Sequence, residues 1–350
     1  MSTFLIIEFL GIVLLTILFL CAVFLFLRPP RIHQLISKAS PSRSYQESVK
    51  RIDDLRILDG EDVAPDGRLI FLTHGAKAPK AIVFFHGGTN SPRQFEALGK
   101  VFYEKGYNVL IPRIPHHGLK DRMTEDYAKL SALELTQLSD ESVDIAQGLG
   151  QHIAIMGLSM GANMAGWIAQ NRSDVDQAVI ISPFWGWKGL AAHFLKPAIN
   201  FLSILPNMFL WWNKEEKKEL SGPTSAYYRF STRGLAEIML LGWLVIKEAR
   251  RSAPETRAIV VITNELDDSV NEKILDQVAD DWQRHRDVKV TRFQFDKSLG
   301  VLHDLIDPEQ PYQNTAAVYP KLIELMEDST PAILSRDVPR EGKISPAFPQ

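Results

Sequence analysis

Residues 152–171 read HIAIMGLSMGANMAGWIAQN. The first six form a short apolar run, the last ten have the composition of a helix, and Gly157-Leu158-Ser159-Met160-Gly161 joins them. This is a G-x-S-x-G nucleophile elbow in its strand-turn-helix setting. Gly157 and Gly161 are needed because so strained a turn brings neighbouring backbone within reach of any Cβ at either position. The turn lifts the Ser159 hydroxyl above the strand ends and beside a helix N-terminus, where a nucleophile is wanted.

Outward from this turn, short apolar runs alternate with longer periodic segments. Strands are predicted at Arg68–Thr73, Ala81–His86, Tyr107–Pro112, His152–Gly157, Gln177–Ser182, Arg257–Thr263 and Val288–Phe295. Runs such as AIVFFH, AVIIS and AIVVIT are continuous rather than alternating, as expected of strands covered on both faces of a parallel sheet. Helices are predicted at Pro92–Lys105, Asp126–Gly148, Met160–Asn171, Asn271–His285 and Pro311–Glu327. The fold class is therefore α/β, a mostly parallel sheet with helices on both faces. One interval breaks the rhythm, and the segment at about 184–252 is predicted to be a helical cap inserted into a domain spanning 53–328. The Pro-rich tail, 329–350, is expected to be mobile.

The chain has 350 residues, 45% of them apolar and 23% charged, with a net charge of -3, so no basic surface points to nucleic acid. Its single cysteine, Cys21, lies in the N-terminal run FLIIEFLGIVLLTILFLCAVFLFL, residues 4–27. Disulfides, cysteine-ligated zinc and a cysteine nucleophile are thereby excluded from the remainder. That run is about 36 Å long as a helix, enough to cross a bilayer core of about 30 Å, and is predicted to be a single membrane span. A cleaved signal fits less well, because no Lys or Arg precedes the run and Arg28-Pro29-Pro30 follows it. Arg28, Arg31, Lys38 and Arg43 all follow the span, which places the bulk of the chain on the cytoplasmic side. Residues 28–52 read as a surface-hugging juxtamembrane tether.

A serine needs a base, and the base needs an orienting carboxylate. With the chain order serine, acid, histidine, two histidines remain. His285 ends a charged helical segment, whereas His303 follows the last strand in SLGVLHD and is the predicted base. The acid is expected after the strand Arg257–Thr263, in NELDDSV, where Glu265, Asp267 and Asp268 compete. Asp268 is favoured because Asp268-Ser269-Val270 has the Asp-x-Val arrangement common at this turn; the losing aspartate would cap the next helix. For the oxyanion hole, one donor is the Met160 N–H and the other comes from His86-Gly87-Gly88-Thr89, with Gly88 preferred and His86 supporting the loop. His116 and His117 are adjacent, so their side chains point apart and no metal is expected.

Taken together, FFHGGTNSPRQFEALGKVFYEKGYNVLIPRIPHHG, IAIMGLSMGANMAGWIAQ and NELDDSVNE with LHD resemble the α/β-hydrolases. The likeness is to carboxylesterases and monoacylglycerol lipases, a group overlapping the serine aminopeptidase S33 domain, and spans about Ala81 to Glu327. The resemblance implies Ser159 as nucleophile, Asp268 as acid, His303 as base, and Gly88 and Met160 as oxyanion donors, with no cofactor. One residue departs from it: His116 stands where glycine is usual. Trp185, Trp187, Trp211, Trp212 and Trp243 fall in the cap, suited to binding an acyl chain or touching the bilayer, or else to packing the cap onto the sheet domain. KEEKKE at Lys214–Glu219 reads as a solvated connection. The expected activity is that of a membrane-anchored serine hydrolase cleaving a lipid-like or small acyl ester through an acyl-enzyme. The alternatives are an amide hydrolase of the aminopeptidase type and a non-catalytic binding module.

Overall fold

The apolar runs become the strands β1 (Ile70–Leu72), β2 (Ala78–Phe85), β3 (Tyr107–Ile111), β4 (Gly150–Leu158), β5 (Gln177–Ile181), β6 (Phe209–Trp211), β7 (Arg229–Ser231), β8 (Ala258–Asn264) and β9 (Lys289–Phe295). This computed structural model describes residues 3–212, 222–285 and 287–329, so the Lys214–Glu219 run and all but the first residue of the tail lie outside the described residues. Seven strands form one sheet in the order β1-β3-β2-β4-β5-β8-β9, and β6 pairs with β7 in a separate antiparallel ribbon. Every pairing in the large sheet is parallel except β1 with β3.

The helices are α1 (Thr3–Leu27), α2 (Tyr45–Ile57), α3 (Arg93–Glu104), α4 (Ala132–Leu149), α5 (Met160–Asn171), α6 (Leu195–Ile204), α7 (Thr232–Ala249), α8 (Glu272–Gln283) and α9 (Thr315–Ser329). Alternate residues of each central strand feed two cores. Ala81, Val83 and Phe85 of β2 join Ile153 and Ile155 of β4 beneath α4, α5, α7 and α8. Ile82 and Phe84 join Met156, Val179 and Val260 beneath α3 and α9. Burial on both sides is why these strands read as unbroken apolar runs.

The helix expected over Asp126–Gly148 is interrupted. A 3-10 turn, Asp126–Lys129, precedes α4, which starts on a capping box: the Glu134 N–H donates to Ser131 Oγ (3.2 Å) and the Ser131 N–H to Glu134 Oε2 (2.9 Å). The segment expected as a tether is fastened to the body. Leu35 is buried, and its carbonyl accepts from the Trp167 indole N–H (3.2 Å). The Ser37 hydroxyl and the Lys38 N–H donate to Asp140, and the Ser40 N–H to Asp144. The same two carboxylates, with Asp174, hold the buried Arg172 guanidinium at 3.0, 2.6 and 2.8 Å. α2 starts inside this segment and buries Ile52 against the body.

The insertion after β5 contains α6, the β6–β7 ribbon and α7. Trp185 is fully buried, edge-on to Trp282 of α8 at 5.9 Å, and packs the cap onto the sheet domain. α1 presents apolar side chains outward along its described length, and among the described residues it is the one helix long and apolar enough to cross a membrane. Its C-terminal end meets α6: Lys196 Nζ donates to Phe26 O (2.8 Å), Asn200 Nδ2 to Leu25 O (2.8 Å) and Arg28 O (3.1 Å), and Phe26 packs edge-on against Phe194 at 5.9 Å.

Candidate active site

β4 ends and α5 begins at Ser159, whose backbone is held at φ 56°, ψ -112°. A side chain here is strained, and the surroundings enforce the strain. A Cβ on Gly157 would lie 2.0 Å from Gly161 O, and one on Gly161 would lie 1.9 Å from Phe85 O, so neither glycine is replaceable without moving the backbone. The Ser159 N–H donates to Ile181 O of the neighbouring strand (3.0 Å), and the Asn163 N–H to Ser159 O (3.1 Å), which fixes the turn from both sides.

His303 lies in the loop after β9. Asn264 at the end of β8 fastens that loop, its Nδ2 donating to Leu302 O (3.0 Å). His303 Nδ1–H donates to Asp267 Oδ2 at 2.8 Å, and Asp267 Oδ1 accepts from the Ser269 N–H at 2.9 Å. The expected acid, Asp268, is not the partner: it is solvent-exposed, whereas Asp267 is buried. The turn explains the correction. Asn264 O accepts from the Asp267 N–H (3.2 Å) and Asn264 Oδ1 from the Leu266 N–H (3.0 Å), a tight reversal that turns residue 267 inward and residue 268 out. Asp267 also closes an Asx turn onto the Ser269 N–H, which holds its side chain in place.

Burial opposes ionisation of both partners, and their attraction overcomes it. Burial raises the Asp267 carboxyl, but the His303 ring and the Ser269 N–H bring it below the ordinary carboxylate value. Burial lowers His303, but Asp267, with Asp304 and Asp268 nearby, lifts it above the ordinary histidine value. His303 Nε2 is buried and has no hydrogen-bond partner among the described residues. Trp212, from the end of the cap's β6 strand, tilts over the ring at 5.7 Å, a contact across 91 residues that no local pattern announces. His285 sits at the C-terminal end of α8, where its N–H donates to Trp282 O (3.2 Å).

The loop after β2 meets the start of α5. The Gly87 N–H donates to Gln94 Oε1 (2.7 Å), which occupies it. Gly88 lies beside the elbow: the position its Cβ would take is 3.7 Å from Met160 Cβ. His86 is fully buried, accepts from the Ile114 N–H at Nε2 (3.2 Å) and gives its Nδ1–H to Gly87 O (3.0 Å). Burial holds its pKa well below the ordinary value, so it is a neutral loop support. His117 Nε2 faces Gly88 O at 2.7 Å, and burial brings its pKa down to about 4. His116 turns the other way, to Asp126 (2.8 Å) and Glu134 (3.1 Å), with φ 66°, the left-handed region glycine would enter freely. Asn90 Nδ2 donates to Asp304 (3.1 Å), tying this loop to the histidine loop. The cap grips the same loop, the Tyr227 N–H donating to Thr89 O (2.7 Å) and Ser91 Oγ pairing with Ser225 Oγ (2.6 Å).

A family model described as the α/β hydrolase family matches residues 82–317. The chain belongs to that family. Solved α/β-hydrolase structures share the fold at low identity. One of the metagenome-derived lipolytic enzymes LipS and LipT aligns with TM-score 0.55 and 15% identity, over 76% of this chain and 99% of its own. A monoacylglycerol lipase of Paleococcus ferrophilus gives 0.54 and 18% over 75% and 100%. A soluble variant of the monoglyceride lipase of Saccharomyces cerevisiae gives 0.54 and 14% over 75% and 92%. No curated protein matches the sequence.

Proposed function

We infer that this α/β-hydrolase is a membrane-anchored serine esterase. The observation that carries the reading is a buried histidine whose Nδ1–H is held by Asp267 and whose Nε2 has no partner among the described residues, in a chain that also holds a serine at a strained strand-to-helix elbow. Asp267 fixes the tautomer that leaves a lone pair on Nε2, the state a general base requires. Ser159 Oγ attacks the ester carbonyl carbon as its proton passes to His303 Nε2. The resulting oxyanion is met by the N–H groups of Gly88 and Met160. Collapse breaks the bond to the alcohol oxygen, which leaves with the proton from His303, and Ser159 keeps the acyl group. Water then repeats the sequence, giving its proton to His303 and its oxygen to the acyl carbon, and the carboxylic acid departs.

The substrate class is read from the cap. Phe194, Phe201, Ile204, Met208 and Leu210 are each about half exposed, and α6 is bonded to the end of α1. If α1 spans the bilayer, this apolar face lies at the lipid surface, suited to esters with an acyl chain. The named lipases and lipolytic enzymes that share the fold act on substrates of that kind. The positive charges of Arg28, Arg31, Lys38 and Arg43 after the span support a cytoplasmic hydrolase domain by the charge rule. A C-terminal reporter active only outside the cytoplasm would reverse that orientation. Hydrolysis of a chain-length series of p-nitrophenyl esters tests the activity and the substrate class together. Turnover rising with chain length is the expected result, and no turnover by folded protein, or turnover that Ser159→Ala leaves intact, would refute the serine-esterase reading.

A further inference from the structure

Tyr127 lies in the 3-10 turn before α4, and its side chain reaches Gly88. Its ring is wedged in place, edge-on to His117 at 4.9 Å, with Cε1 3.4 Å from where a Cβ on Gly234 of α7 would stand. The hydroxyl points at Gly88, 2.9 Å from the position of a Gly88 Cβ, a position itself 3.7 Å from Met160 Cβ. It therefore lies on the side of Gly88 that faces Met160, the two residues expected to supply the oxyanion N–H groups. Tyr127 is 2% exposed, yet its hydroxyl makes no hydrogen bond among the described residues. The phenols of Tyr45, Tyr227 and Tyr319 are bonded to Thr73, His116 O and Ile306 O. A phenol held in place with no protein partner keeps its O–H free to donate to a ligand that arrives beside it.

We propose that Tyr127 is a third oxyanion donor, its phenol O–H hydrogen-bonding the negative oxygen that develops on the substrate carbonyl. The inference rests on the serine-esterase reading and extends it. Tyr127 keeps its proton throughout, so nothing is transferred to or from it. Burial raises its pKa above the ordinary phenol value, so it remains a donor across the working range of the base. The wedge that holds the ring means the donor is positioned before substrate arrives, the condition under which such groups are most effective. It also gives Gly88 a second reason to lack a side chain, since a Cβ there would meet the hydroxyl.

The test is Tyr127→Phe in the full chain. Because the lost hydroxyl has no protein partner, the variant is expected to melt at or above the wild-type temperature. kcat and kcat/KM for an ester are expected to fall together by about 10²-fold, with KM nearly unchanged, as for loss of an interaction made only in the transition state. Affinity for a trifluoromethyl ketone, whose adduct carries the oxyanion, should fall by a similar factor relative to that for the parent methyl ketone. Wild-type kcat in Tyr127→Phe, or an unchanged ratio of the two ketone affinities even where kcat drops, would overturn the proposal. In that case fluorophosphonate still labels Ser159 and the esterase reading stands. If Ser159 in the wild type takes no label and no ester turns over, both fall together.

Discussion

Asp267 and Asp268 are one step apart, and the turn sends one to His303 and the other to solvent. Their substitutions should separate cleanly. Asp267→Asn is expected to lower kcat by about 10⁴-fold, because the carboxylate that accepts the Nδ1–H is replaced by an amide that admits the wrong tautomer. Asp268→Asn should stay within about threefold, its charge acting on His303 only at a distance. The pH profile gives a second check. His303 must be neutral to act, and its pKa stands above the ordinary 6.5, so activity is lost as pH falls through a value above 6.5. In Asp267→Asn the raising charge is gone while burial remains, so the acidic limb should move to lower pH. An unmoved limb would remove His303 as the base. At this scale Ser159, its two glycines and His303 are legible because the elbow needs its residues at fixed spacing and the histidine follows the last strand. The choice between two adjacent aspartates is not, because it depends on the register of one turn.

Continuous apolar strands betray a sheet covered on both faces, so the parallel core and its alternation with helices are readable before any coordinates. Contacts between distant elements are not. Nothing local shows that residues 35–42 fasten to α4, that α1 meets α6, or that Trp212 covers His303. The fastening converges on Arg172, whose guanidinium joins α5 to Asp140 and Asp144 of α4, the carboxylates that also hold residues 37–40. Arg172→Met would remove the cation that two buried carboxylates share, leaving Asp144 with Arg51, at a cost of about 3 kcal/mol. A melting temperature lowered by several degrees, with kcat of the surviving folded protein unchanged, is the expected outcome. A neutral variant would show that the cluster is not what holds the segment to the body.

For the molecule as a whole, α1 is bonded to the cap, so on the proposed reading the anchor and the substrate-facing surface are one assembly. Placing charge on the exposed apolar face of α6 should therefore discriminate between sources of substrate. Phe201→Glu with Ile204→Glu in the full chain is expected to depress hydrolysis of an ester presented in vesicles by about tenfold or more, through lost interfacial contact. Hydrolysis of a short soluble ester should be nearly unchanged. Equal loss on both substrates would assign those side chains to the cap's packing. All of these outcomes presuppose that Ser159 is the nucleophile, and labelling tests that directly. Full-length folded protein is treated with a fluorophosphonate and the modified peptide identified by mass. The label is expected on Ser159 alone, absent in Ser159→Ala and much slower in His303→Ala; folded protein that takes no label, or takes it at another residue, would contradict the account.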